Sequence, residues 1–303
     1  MRVTRIVDGT IVLNLIVILL GATVRATGSG AGCGRSWPTC QGELLPALEG
    51  ATAIEFTHRA VSGLALLAVA WMVFAVFKAS TSGALVRRAA VAVAISIVVE
   101  ALIGMVIVLA EWVADDASVA RAVSVPIHLV STFVLLAGLV MTRFWLRHDV
   151  SGHRRLRDHP GLIVLGVGML LVAATGAVTA LADTLFPKAF DLTSMVTPEE
   201  HFLTRLRVVH PIVAVVVGGA AGWFAARHMD GRAARPAGVV IGSVIVQVAL
   251  GVLAVALLTP LAISLLHLLV ADVLWMAWIW LGLELTAERS GNASPALDVS
   301  THR

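Results

Sequence analysis

Residues 54–77 read IEFTHRAVSGLALLAVAWMVFAVF, and residues 205–226 read RLRVVHPIVAVVVGGAAGWFAA. Each run is long enough, as a helix, to cross a bilayer core, which takes about 20 mostly apolar residues. Each carries a histidine near its head and a tryptophan 13 positions later, His58 with Trp71 and His210 with Trp223. Six more apolar runs lie at 10–27, 89–110, 122–146, 161–182, 236–258 and 261–285, bounded by charged, Gly or Pro residues. Eight membrane-crossing helices are therefore expected, with almost nothing left for an extramembrane domain. Composition agrees: the 303 residues are 58% hydrophobic and 14% charged, with mean hydropathy +0.93, which excludes an ordinary soluble domain. Two cysteines are too few for a disulfide scaffold or a thiolate cluster. No basic run interleaved with aromatics is present and tyrosine is absent, so nucleic acid is excluded as a partner.

The two opening runs belong to a longer repeat. Thr27-Gly28 matches Thr175-Gly176, His58 matches His210, Glu100-xxx-Gly104 matches Gln247-xxx-Gly251, and His128 matches His267, at offsets of 148, 152, 147 and 139. The offset changes only across loops, as expected when spans are kept and connections vary. Four spans per unit make both copies enter the membrane the same way round, related by a pseudo-twofold along the membrane normal. The expected fold is all-α and integral to the membrane, two four-helix bundles formed by residues 1–150 and 151–303. The first run follows Arg2 and Arg5 like a signal peptide, but Arg25 stands where a small-residue cleavage site belongs, so the segment is expected to be retained.

With the N-terminus cytoplasmic, 15 of the 22 basic residues fall on the inner side, among them Lys78, Arg87, Arg143, Arg154, Arg155, Arg157 and Arg303. The other seven are Arg25, Arg35, Arg59, Arg121, Lys188, Arg205 and Arg207. The bias predicts a multi-pass protein of the plasma membrane with both termini cytoplasmic. Cys33 and Cys40 then lie in an outer, oxidising loop, where a bridge is favoured over a pair of free thiols.

His58, His128, His210 and His267 occupy the four even-numbered spans, each roughly 6–10 Å in from the outer end at 1.5 Å per residue. A single histidine in an apolar helix is usually a hydrogen-bonding group between helices. Four at one depth, two per repeat, instead suggest axial ligation of heme iron inside each bundle. Zinc requires three or four ligands at one point, which pairs in separate halves do not supply. The remaining histidines, His148, His153, His159, His201, His228 and His302, lie in loops or at termini and read as solvated.

The two pockets differ one helical turn before their first histidine. Glu55 occupies that place in Glu55-Phe-Thr-His58-Arg59, and Arg207 occupies it in Arg207-Val-Val-His210. One pocket is thus expected to be acidic and the other basic. An acid beside a reacting group can move protons or stabilise positive charge, while Arg59 and Arg207 are candidate partners for heme propionates. The alternative for Glu55 is a simple pair with Arg59. Glu100 is explained by hydrogen bonding between helices, with a proton path as the weaker reading, and Asp272 receives no role. Trp275, Trp278 and Trp280 read as packing and membrane-interface anchors.

With the Glu-x-x-His-Arg motif at the head of the second span, a histidine in each other even span and a cysteine pair in the first outer loop, the whole chain resembles heme A synthase. That resemblance implies conversion of heme O to heme A by oxidation of a porphyrin methyl to a formyl group, an oxidoreductase reaction serving cytochrome oxidase assembly. It implies that His210 and His267 ligate a heme b cofactor, that His58 and His128 flank the substrate heme O, and that Glu55 is the essential carboxylate. It further implies a heme O synthase (farnesyltransferase) as upstream partner, an external electron donor and self-association. Two other classes compete with it. A diheme b-type electron carrier explains the histidines but not the contrast between Glu55 and Arg207, and a parallel-repeat transporter predicts a midplane site rather than an outer one.

Overall fold

In the computed structural model, residues 2–79, 83–148, 150–153, 159–187, 197 and 199–289 are described. Lys188, Arg154, Arg155, Arg157, Arg303 and His302 lie outside them. The helices are α1 (Arg2–Ala26), α2 (Gly50–Lys78), α3 (Ala84–Leu109), α4 (Val119–Arg147), α5 (Pro160–Leu185), α6 (Phe202–Leu206), α7 (Val209–Ala226), α8 (Ala234–Ala256) and α9 (Leu261–Thr286). They form eight segments long and apolar enough to span a membrane, with α6 and α7 sharing the sixth, Phe202–Ala226.

Local chemistry sets the helix ends. At the head of α4 the Ser118 hydroxyl accepts the Arg121 N–H at 3.2 Å, a serine N-cap. Pro160 begins α5, where a missing N–H has no consequence. The sixth span divides because Pro211 has no N–H to offer the carbonyl four residues back. That carbonyl, on Arg207, instead takes the Thr179 hydroxyl at 3.4 Å. The first helix runs eight residues further toward the N-terminus than its apolar stretch. The extension projects charge beyond the apolar layer, and its Asp8 pairs with Arg143 of α4.

In the first half α1 packs on α2 and α4, and α3 lies between α2 and α4. In the second, α5 packs on α7 and α9, and α8 lies between α7 and α9. The halves meet through α1, α4, α5 and α9, with contacts of α4 with α5 and α9 and of α1 with α5 and α9. Exchanging α1 with α5 and α4 with α9 leaves this set unchanged, as a pseudo-twofold between two bundles requires. The core runs through the seam and both bundles, with Met72, Val93, Leu136, Leu139 and Leu281 among its buried side chains. Close approach depends on small residues: a Cβ on Gly138 would stand 2.8 Å from Val93 of α3.

Two of the three clustered tryptophans are interior rather than interfacial. Trp275 and Trp278 are 6% and 3% exposed, and they donate to the Phe133 carbonyl at 2.7 Å and the Leu162 carbonyl at 3.3 Å. Trp275 thereby ties α9 to α4 across the seam, because a buried indole N–H needs an acceptor. At the end carrying both termini, β1 (Val150–His153) pairs antiparallel with β2 (Ala287–Arg289), a small ribbon outside the helical body. Large apolar side chains such as Leu67, Trp71, Phe74, Val216 and Trp223 face outward, as lipid-facing positions should.

Candidate functional site

Between α1 and α2 the chain closes on itself through a Cys33–Cys40 disulfide, with both cysteines fully buried. This loop sits on the head of α2. A Cβ on Gly32 would come within 2.5 Å of the Ala51 carbonyl, so only glycine permits the approach. The Gly32 carbonyl accepts from Thr52 at 2.8 Å and from Gln41 at 2.9 Å.

The loop holds the acid of the first pocket. Glu55 is 3% exposed and accepts the Cys33 N–H at 2.7 Å through Oε2, while Oε1 pairs with the Arg59 guanidinium one turn later. Arg59 in turn donates to the carbonyls of Ser36 and Thr39, so loop, acid and base form one network. Each of these groups has a partner, which is what makes burial of the charges tolerable. Arg59 is thereby committed to Glu55 and the loop carbonyls.

The second pocket also pairs an acid with a guanidinium, but across two helices: Arg207 stands at the place of Glu55, its acid is Asp183 of α5, and Pro211 stands at the place of Arg59. Arg207 is 4% exposed, its Nε lies 2.8 Å from Asp183 of α5, and it donates to the Phe186 carbonyl at 2.8 Å. Arg25 of α1 adds a second guanidinium near Asp183 and donates to the Ala180 carbonyl and to Thr184 at 2.8 Å, crossing the seam. Asp183 escaped the sequence reading because its match in the first half is not an acid. Its signal was an aspartate near the end of an otherwise apolar span.

All four histidines face a glycine on the preceding span. Cβ atoms built on Gly21, Gly104, Gly176 and Gly251 would stand 3.0, 3.9, 2.9 and 3.6 Å from the rings of His58, His128, His210 and His267. Gly21, rather than Gly28, is therefore the counterpart of Gly176. Gly28 lies beyond α1 at a positive φ of 66° with nothing near its Cβ position. The repeat thus lets each imidazole pack against glycine backbone where a Cβ would otherwise stand.

In the second half the His210 and His267 rings lie 6.3 Å apart between centroids at 82°. Two metal–nitrogen bonds of about 2 Å plus half a ring on each side span such a separation, so the pair fits ligation of one iron from opposite faces. His210 Nδ1 is 3.1 Å from the Val172 carbonyl, which leaves Nε2 for a metal, and His267 Nδ1 has no hydrogen-bond partner. In the first half His58 Nδ1 is likewise without a hydrogen bond of ordinary geometry. His128 Nδ1 lies 2.7 Å from Glu100 Oε2, and the other Glu100 oxygen accepts from Ser131. No group of three or more His, Cys, Asp or Glu converges on one point among the described residues. Asp272, 0% exposed, has neither oxygen hydrogen-bonded. Three of the histidines expected in loops also serve helix ends: His201 caps α6, and His148 and His228 each approach a carbonyl four residues back.

Comparison with known proteins fits this arrangement. Proteins named protoheme IX farnesyltransferase from two strains of Thermus thermophilus are 41% identical over 288 residues and cover 90% of this chain. The chain spans only 46% of their length. A heme A synthase of Staphylococcus carnosus is 29% identical over 267 residues, 84% of each chain, and one of Exiguobacterium is 32% identical over 168 residues, 54% of this chain and 52% of its own. The sequence profile described as cytochrome oxidase assembly protein matches residues 4–279, reaching into all eight spans, and the chain belongs to that family.

Proposed function

We propose that this protein is a heme A synthase, oxidising one peripheral methyl of heme O to a formyl group in the first bundle while the second bundle holds a heme b cofactor. The observation that carries the reading is Glu55, a buried carboxylate one turn from His58, locked under a disulfide-closed loop and replaced by arginine at the matching place in the other half. An electron carrier using two similar hemes has no need of that difference. Family membership and the relatives named heme A synthase point the same way.

In this reading residues 1–150 take the substrate and residues 151–303 the cofactor. Two successive hydroxylations would turn the methyl into a diol, each consuming one external O2 and two donor electrons with the second oxygen atom leaving as water, and loss of water from the diol would leave the formyl group, a four-electron oxidation of the carbon. His210 and His267 would hold a heme b, which would supply electron transfer from the external donor. Glu55 is the group that would stabilise positive charge developing at the methyl carbon or accept its proton. Arg59 and the Cys33 N–H hold the carboxylate in one orientation, so no reorganisation is needed at the moment of reaction. The disulfide at this end of the bundle and the excess of basic residues at the other support an outer-face site in the plasma membrane with both termini cytoplasmic. The Thermus relatives, about twice as long and named for the farnesyltransferase activity, support a heme O synthase as the neighbour that delivers substrate.

Expression of the full chain in a host that makes heme O, followed by pigment extraction and chromatography, tests the proposal. Heme A must appear with the wild type and be absent with Glu55→Ala. A folded, heme-loaded wild type that never yields hydroxylated or formylated heme identifies an electron carrier instead.

A further inference from the structure

The function above makes no use of Glu100, yet α3 approaches His128 in a way its counterpart does not. Glu100 and Gly104 are one turn apart on the same face. Glu100 Oε2 lies 2.7 Å from His128 Nδ1, and the Cβ position of Gly104 lies 3.9 Å from His128 Nε2. One helix therefore contacts one ring nitrogen with a carboxylate and leaves the other nitrogen clear. Ser131, one turn after His128 on α4, donates to the second carboxylate oxygen and fixes the Glu100 side chain from the far side. The Glu100–His128 contact is short but off the N–H direction.

The other three histidines have nothing comparable. His210 Nδ1 meets the neutral Val172 carbonyl, His58 is likewise engaged only by the Val17 backbone, and no carboxylate approaches His267 Nδ1. Gln247 occupies the Glu100 place in the second half, and its Oε1 has no partner. A carboxylate on Nδ1 fixes the tautomer, orients the ring and increases electron donation from Nε2 to a bound metal. His58 has the Val17 backbone beside it but no carboxylate.

Resting on the heme O reading of the first pocket, we infer that Glu100 is a positioning residue that makes His128 the permanent ligand of the substrate iron, leaving His58 as the displaceable ligand on the Glu55 side. The consequence is directional. The face of the iron that opens during turnover is the one whose ligand shares a helical turn with Glu55, so iron-bound chemistry and the carboxylate lie on the same side of the porphyrin. His128 and α3 anchor the opposite face.

The test uses purified full-length protein with the second site already filled, titrated with heme O and with iron protoporphyrin IX. The second-site heme spectrum serves as the folding control. Glu100→Gln is expected to weaken heme binding at the first site about 10–100-fold, the usual cost of losing such a partner, and to change the first-site spectrum and raise its reduction potential while the second site is unaltered. Ser131→Ala is expected to move the same readouts in the same direction by less. His58→Ala is expected to keep first-site heme in a five-coordinate form that added imidazole restores to six-coordinate, whereas His128→Ala loses it. An unchanged first-site affinity and spectrum in Glu100→Gln overturns the inference, as does equal loss of heme in His58→Ala and His128→Ala. If these signatures appear but the wild type makes no formylated heme, the ligand assignment stands and the synthase reading fails. If the wild type makes heme A and Glu100→Gln binds heme normally, only the assignment of Glu100 fails.

Discussion

The two halves share a backbone plan and differ in where they put their charges. Both place a histidine on the second and fourth span against a glycine on the span before. The first half then buries Glu55 beneath a disulfide loop and sets Glu100 against His128. The second buries Arg207 against Asp183 and has an amide, Gln247, in place of Glu100. The duplicated architecture sets a glycine against each histidine, and the halves differ at two matched positions, Glu55 against Arg207 and Glu100 against Gln247. In both halves a buried acid is paired with a guanidinium, Glu55 with Arg59 and Asp183 with Arg207, so what sets the first half apart is its second acid, Glu100, beside His128. In the proposed reading that half takes the substrate and the other the cofactor.

The strongest way to break this comparison is to remove ligands from the second half. His210→Ala or His267→Ala should eliminate the bis-histidine heme b spectrum of the purified protein. Full retention in both would show that the resident heme is elsewhere. The glycine contacts come next, because Gly176→Ala puts a Cβ 2.9 Å from the His210 ring and Gly21→Ala puts one 3.0 Å from His58, inside ordinary contact. Gly176→Ala should reduce resident heme content severalfold and Gly21→Ala should reduce only product formation. Gly104→Ala and Gly251→Ala, at 3.9 and 3.6 Å, meet the rings at ordinary contact distance and should cost less. Equal effects at all four would remove the steric reading.

Smaller effects sharpen the contrast in charge. Asp183→Asn leaves Arg207 and Arg25 buried without their carboxylate, and loss of one member of a buried pair costs about 3–5 kcal/mol. Thermal unfolding in detergent should register it, while Asp8→Asn, at a half-exposed pair, should change stability by less than about 1 kcal/mol. Replacing both Cys33 and Cys40 with serine removes a short-loop crosslink worth about 2–3 kcal/mol in the chain-entropy account. It should loosen the loop over Glu55, lower heme A yield and leave the resident heme spectrum intact. Unaltered yield would deny the loop a functional role.

Much of this plan was legible in the chain. The eight spans follow from runs of apolar residues, and their ends were misjudged mainly where charged residues continue a helix beyond the apolar layer, as Arg2, Arg5 and Asp8 do in α1. The matched histidines and the contrast of Glu55 with Arg207 are visible because the repeat is read in register. The glycine register of α1 was not, since Gly28 matches by its neighbouring threonine while Gly21 matches by what it touches. Trp275 and Trp278 read as packing and interface anchors at once, and the structure bears out the packing; a helix that is apolar on every side gives no sign of which face meets protein.

Hydrophobicity and spacing by themselves determined an eight-span membrane protein with two equivalent histidine layers and one distinctive carboxylate, because the cost of burying polar groups makes each of them stand out in an apolar chain. Only the tertiary structure decided which partners those groups have: Glu55 with the Cys33 amide and Arg59, Arg207 with Asp183, Arg25 across the seam, and His128 with Glu100. These contacts join residues on different helices, whose mutual rotation is set by side-chain packing and is not encoded in the periodicity of any single span.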